Sequence, residues 1–163
     1  MQKTIVTQPI TQLIGLTIRT NNVDESQPET AKIIKLVQHY WQERIAEQIP
    51  HRKNPGVTFS AYTDYASNEH GDYTYFIGEE VSSIANIPQG FETATIPAGK
   101  YQKFTTESGK IPTVVIQAWQ QIWQMSNVQL GGHRNYQTDF EVYDQRANNP
   151  NDAILDIYIG IET

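Results

Sequence analysis

The chain carries an internal repeat, and that repeat limits the folds open to it. At an offset of 82 residues, Ile34, Val37, Tyr40 and Trp41 fall on Ile116, Trp119, Ile122 and Trp123, and Tyr75-Phe76-Ile77-Gly78 falls on Ile157-Tyr158-Ile159-Gly160. Phe59-Ser60-Ala61-Tyr62 falls on Phe140-Glu141-Val142-Tyr143 at an offset of 81, which places the one-residue drift in the loop between the last two strands. Local signals agree with this arrangement. Residues 10–20 and 93–106 alternate as strands, the second bent at Pro97 and Gly99. Ser26-x-x-Glu29 has capping-box spacing with Pro28 in the first turn, and Ile34, Val37, Trp41 and Ile45 recur at helical spacing, so a helix is expected over 28–47. Pro112 opens the second helix, which carries Val115, Trp119, Ile122 and Trp123, with Gly131-Gly132 beyond its end. Residues 57–65, 73–81, 138–145 and 153–161 read as strands. Apolar matches in α+β proteins also arise by chance, but here strand order, helix position and both strand-ending glycines agree. The expected fold is therefore α+β: a βαββ unit used twice, over about 10–82 and 93–162, with pseudo-twofold symmetry, antiparallel strands, two helices and a concave central cleft.

At 163 residues the chain is one ordinary domain, 1–163. Apolar residues make up 38%, enough for a core, and no run approaches the roughly 18 residues of a membrane-spanning helix. A formal charge of −6 disfavours direct nucleic-acid binding, which needs a positive field to displace counterions. With no cysteine, disulfides, thiolate metal sites and cysteine nucleophiles are excluded. The four histidines, His39, His51, His70 and His133, lack metal-ligand spacing. No phosphate-cradling or nucleophile motif occurs, so neither a metal nor a cofactor is expected. The start MQKTIVTQPI has no signal-peptide core, and a cytoplasmic location is the expectation.

The nine tyrosines direct attention to the strand faces. Leu155, Ile157, Ile159 and Ile161 share one side of the last strand, which must face the core. Asp156, Tyr158 and Gly160 take the other side. Read by the same parity, Phe140 and Val142 face the core and Glu141 and Tyr143 face away, so that one non-core face carries two carboxylates and two tyrosines. The repeat register adds Ser60, Tyr62, Thr74 and Phe76 on the equivalent face. A polar face on an antiparallel strand is ordinarily just solvated. The company of Tyr, Tyr and Phe argues instead for an aromatic cleft with acid at its floor. Such a cleft would hold flat or bulky lipophilic cations by ring quadrupoles and a carboxylate. Trp41, Trp119 and Trp123 read first as core packing, with Trp119 the one best placed at a pocket edge, since its repeat mate is the smaller Val37. Glu79 and Glu80 read as solvated. A carboxyl among aromatics can also act as an acid or base on water, so a catalytic role for Glu141 stays open.

The ordered strings DYTYFIGEEV (72–81), TIPAGKYQKF (95–104), FEVYD (140–144) and DIYIGI (156–161) resemble the GyrI-like small-molecule-binding family. That family includes the effector-binding domain of AraC-type activators and the multidrug-binding domains of MerR-type regulators. The likeness spans essentially the whole chain. It implies a duplicated βαββ fold with a cleft for lipophilic, often cationic compounds, in which Glu141 matches the pocket acid and Tyr143 the motif tyrosine. In the closing motif Asp156 stands for the usual Glu, Tyr158 matches, and Gly160 replaces a Pro. The chain looks like a stand-alone member without a DNA-binding domain, similar to effector-binding proteins carried on integron cassettes.

The expected function is capture of a lipophilic cationic small molecule, as a sink or as a sensor serving a regulatory protein or a separate DNA-binding subunit. Glu141 would be the anchor, Asp156 a second acid, and Tyr62, Tyr143, Tyr158, Phe76 and Trp119 the walls. Two alternatives stand beside it: a hydrolase of electrophilic genotoxins using Glu141 to activate water, and a protein-inhibitor role like that of gyrase-modulating relatives.

Overall fold

A computed structural model describes all residues 1–163. Eight strands form one antiparallel sheet: β1 Gln2–Gln8, β2 Thr11–Thr20, β3 Thr58–Thr63, β4 Tyr73–Glu80, β5 Glu92–Ile96, β6 Gly99–Thr105, β7 Thr138–Tyr143 and β8 Asp156–Gly160. Five helices join them: α1 Asn22–Glu25, α2 Ile33–Gln42, α3 Ile45–Gln48, α4 Thr113–Trp123 and α5 Asn127–Leu130. The spatial order is β1-β6-β8-β7-β3-β4-β2-β5. Exchanging the two halves of the chain maps this order onto itself, with β2 and β6, β3 and β7, and β4 and β8 as mates. At its centre Phe59 pairs with Val142, Ala61 with Phe140 and Ser60 with Glu141. Because Phe59 is the mate of Phe140 and Ala61 of Val142, the pseudo-twofold axis runs between Ser60 and Glu141.

Strand β1 and its partner ladder explain the shape. The links β1–β2 (Pro9-Ile10) and β5–β6 (Pro97-Ala98) are two residues each. Each joins an end strand to a strand beside the opposite end of the sheet. Such a link reaches no more than about 11 Å. The sheet therefore curls until its ends meet, and its concave face acquires a core of its own: Leu13, Phe59, Phe76, Ile96, Tyr101 and Phe140. The convex face is covered by α2 and α3 over Ile14, Tyr75 and Ile77, and by α4 and α5 over Phe104, Leu155, Ile157 and Ile159. With both faces buried, the central strands β3, β4, β7 and β8 lack the plain inside-and-outside division of a half-solvated sheet.

The first helical region differs from the expectation of one helix over 28–47. Asn21 caps α1, its side chain accepting from the Asp24 N–H at 2.8 Å. Helix α2 begins after Lys32, and its open N-terminus is held from a distance: the Glu25 carboxylate accepts from the N–H groups of Lys32 (2.9 Å) and Ile33 (3.1 Å). Arg44, in the left-handed region at φ 52°, separates α2 from α3. The buried stripe is Ile33, Leu36, Val37 and Tyr40. Ile34 and Trp41 lie to its side, Trp41 55% exposed, as does its mate Trp123 at 48% on α4.

Replacing Glu25 with Ala is expected to lower stability by about 1–2 kcal/mol in urea denaturation, the cost of a lost N-terminal cap. Glu29→Ala, at the position the capping-box spacing singled out, is expected to change it by less than about 0.5 kcal/mol.

Candidate functional site

The site is built on the pseudo-twofold axis, on the convex, helix-covered side. Directly opposed residues of an antiparallel pair share a face, and Glu141 is opposed by Ile157 on β8 and by Ser60 on β3. Its side chain therefore points under the helices, where it is 2% exposed. The two mate tyrosines grip it from either side: the Tyr62 O–H donates to Oε2 at 2.9 Å and the Tyr143 O–H to Oε1 at 2.6 Å. From α4 the Trp119 indole N–H donates to Oε2 at 2.7 Å.

Around these groups the aromatic wall is asymmetric. Tyr62 has its ring 5.6 Å from Tyr73, 5.4 Å from Tyr75 and 5.2 Å from Trp119, centroid to centroid. The mates of Tyr73 and Tyr75 are Leu155 and Ile157, so the first half supplies the strand rings and the second half supplies the indole. Separate bonds fix the walls: Ser60 Oγ and Tyr75 Oη are 2.8 Å apart, and the Tyr73 O–H donates to Asn22 Oδ1 at 3.0 Å.

Burial raises the Glu141 pKa above the ordinary carboxylate range, and the three donors pull it part of the way back. Burial, then the adjacent carboxylate, pushes the phenols of Tyr62 and Tyr143 well up, so both remain protonated donors. The decisive comparison is with the other buried acids, Glu79, Asp139 and Asp156. Glu79 faces Arg52 at 3.6 Å, Asp139 binds Arg134 at 2.7 Å, and Asp156 binds Arg146 at 2.7 Å with Lys103 at 3.7 Å. Glu141 is held by neutral donors alone. Glu79, read from the sequence as solvated, is instead 1% exposed.

Four of the residues expected at the site come together: Glu141, Tyr143, Tyr62 and Trp119. Three lie on the other face of the sheet. Phe140 opposes Tyr158, with rings stacked at 4.4 Å, and Val142 opposes Asp156. Phe76 opposes Ala61 in the concave core. The parity reading failed because alternation sorts residues within a strand but does not align two strands. With a second core on the concave face, Phe140 and Val142 have an apolar place of their own, and the glutamate goes beneath the helices. Two wall residues were missed, Tyr73 and Tyr75. Their signal was the Tyr-x-Tyr spacing in DYTYFIG, with Thr74 and Phe76 assigned to the site face in their stead.

This curved sheet with helices over a buried acid is the GyrI-like effector-binding fold. Residues 4–161 match the family described as integron-associated effector binding protein, and the chain belongs to that family. The Bacillus subtilis protein YobU is 30% identical over 150 residues, which cover 91% of this chain and 90% of YobU. An integron cassette protein from the mobile metagenome of Vibrio cholerae superposes with a TM-score of 0.77 at 25% identity, over 98% of this chain and 95% of that one. The structure of SAV2435 bound to tetraphenylphosphonium superposes with a TM-score of 0.78 at 17% identity, over 99% of this chain and 94% of that one. No helix is long and apolar enough to cross a membrane.

The placement of Asp156 is open to test. Asp156→Asn weakens its links to Arg146 and Lys103, and is expected to cost about 1–2 kcal/mol of stability, discounted because Arg146 keeps Asp144 as a partner. Binding of any ligand at the Glu141 face should change less than twofold. A larger change, read by titration, would return Asp156 to the site.

Proposed function

We propose that the protein captures lipophilic cations at Glu141, within the rings of Tyr73, Tyr75, Trp119 and Tyr143, as a sink or as a sensor. The observation that carries this reading is the absence of any basic partner for the Glu141 carboxylate, when every other buried acid has an arginine. A buried carboxylate held only by neutral dipoles is a poorly compensated charge. A cation arriving beside it restores the missing partner in a low-dielectric site, where the attraction is strong. The rings add quadrupole attraction and large apolar contact without directional demands, so selectivity should rest on charge and lipophilicity more than on hydrogen-bond pattern. The binding of tetraphenylphosphonium by SAV2435, a protein of the same fold, supports the same ligand class.

Charge linkage has a definite sign here. Glu141 titrates above the ordinary carboxylate range because of its burial. The folded state therefore holds its proton more tightly than the unfolded chain, and the contribution of this group to stability is lost as pH rises through the folded-state pKa. Wherever the anchor is ionised it weakens the fold. Glu141→Gln, whose amide oxygen can still accept from Trp119 and Tyr62, is expected to melt at or above the wild-type temperature. It should also bind tetraphenylphosphonium about 10- to 100-fold more weakly, the loss of a charge-assisted contact of about 1.5–3 kcal/mol. Calorimetric titration and a thermal melt read both effects. Equal affinity of wild type and variant would remove the anchor.

Wild-type affinity for this permanent cation should fall on acidification, beginning above the pH range in which an exposed glutamate protonates. The Glu141→Gln profile should be flat. A wild-type profile independent of pH down to the unfolding range would contradict the assignment.

A further inference from the structure

The cage around Glu141 is closed by one of its own rings. Tyr62 is the side chain that packs against both convex-face cores, the one under α2 and the one under α4. Its ring meets Tyr73, Tyr75 and Trp119 on three sides, and its hydroxyl meets the acid. An aromatic cation bound at Glu141 would make these same contacts. Two cavities of the molecule, of about 270 and 470 Å³, are lined by other residues, with Glu141 in neither.

The hydrogen bonds show which ring is free to leave. Tyr75 is tied to Ser60, Tyr73 to Asn22, and Trp119 and Tyr143 to Glu141. The only polar partner of Tyr62 is Glu141 Oε2, and that oxygen also accepts from Trp119. If Tyr62 departs, Oε2 keeps the indole and Oε1 keeps Tyr143. The carboxylate stays in place with a donor on each oxygen, and one acceptor position opens toward the vacated space. Loss of Tyr143 would instead leave Oε1 bare. Tyr62 is also half-buried and next to last in its strand, which ends at Thr63 before Asp64 turns into the left-handed region at φ 51°.

We propose that Tyr62 is the gate of the cleft: its ring holds the ligand's place at Glu141 while the cleft is empty, and a cation bearing at least one aromatic ring displaces it. The proposal rests on Glu141 being the anchor. It narrows the ligand class, because the incoming molecule must supply both a charge for Oε2 and a ring for the space between Tyr73, Tyr75 and Trp119. It also makes Tyr62 a competitor of the ligand. The apparent dissociation constant is the intrinsic one divided by the fraction of molecules with the gate open.

Titration of wild type, Tyr62→Ala, Tyr62→Phe and Glu141→Gln with tetraphenylphosphonium, followed by tryptophan emission and stopped flow, separates the cases. A gate predicts that Tyr62→Ala binds at least fivefold tighter than wild type and loses a slow association phase whose rate saturates with ligand. Tyr62→Phe keeps the ring but not the latch, so it tests the idea even if the alanine variant does not fold, and it should associate several-fold faster. Tetrapropylammonium, charged but ringless, should bind wild type at least tenfold more weakly than tetraphenylphosphonium. Tenfold weaker binding by Tyr62→Ala, or wild-type association in Tyr62→Phe, overturns the gate and leaves the anchor intact if Glu141→Gln is still impaired. Absence of binding by wild type and every variant overturns the anchor and the gate with it.

Discussion

A carboxylate taken out of water without a counter-charge is among the costliest groups a fold can bury, and here the cage is arranged around one. Glu141 survives because three neutral donors converge on it, from β3, β7 and α4. Each is itself constrained: burial, and then the acid, pushes the phenols of Tyr62 and Tyr143 well up, and the Trp119 indole is aimed by the acid. Neutral donors stabilise the charge without cancelling it. An arginine, as at Asp139, would stabilise it more and leave nothing for a ligand to do. In the proposed reading, affinity for a cation and the fold's discomfort with the bare anion are the same quantity seen from two sides.

The curled sheet makes this burial possible. Two-residue links at Pro9-Ile10 and Pro97-Ala98 draw the sheet ends together and give the concave face a core. The convex face is thereby freed from being the sole apolar layer and can accept an acid, a serine and several phenols. The pseudo-axis places Ser60 directly across from Glu141. The mate of Glu141 is thus a small neutral hydroxyl, which pairs with Tyr75 rather than with the carboxylate. Two glutamates at that pair would repel at close range, and two serines would leave the axis without a charge. The symmetric scaffold therefore works through a broken symmetry at its centre.

The repeat was legible from residue identities because the apolar strand positions and glycines recur at nearly constant spacing, and both βαββ units follow from it. Glu141 and Tyr143 stood out by strand parity and the FEVYD string, Tyr62 and Trp119 by the repeat register, and the structure brings the four together. The pairing register was not legible. Within β7 and β8, alternation is clean, but the choice between Asp156 and Ile157 as the neighbour of Glu141 depends on which strand positions oppose each other, and no local signal encodes that. Strand β1 was passed over because Gln2–Gln8 is mostly exposed and has no apolar alternation; it exists because β6 offers it a ladder. The helix start was misplaced because its cap comes from Glu25, seven residues before Lys32, rather than from the expected Ser26 spacing.

Trp41 and Trp123 extend the argument outward. As mates they occupy equivalent positions on α2 and α4, each beside Ile34 or Ile116, and all four are substantially exposed. At 100° per residue, Ile116 and Trp123 fall on the flank of α4 that also carries Trp119, whose indole reaches the axis. Ile34 and Trp41 take the same flank of α2, next to Val37. Ring contact between Trp119 and Trp123 at 6.2 Å continues the aromatic surface from the buried acid toward solvent. Of the three tryptophans read first as core, Trp119 is buried as expected, while Trp41 and Trp123 lie on exposed helix flanks. Helical periodicity flags apolar residues whether they sit in the stripe that packs on the sheet or on the flank beside it, and only the packing tells the two apart.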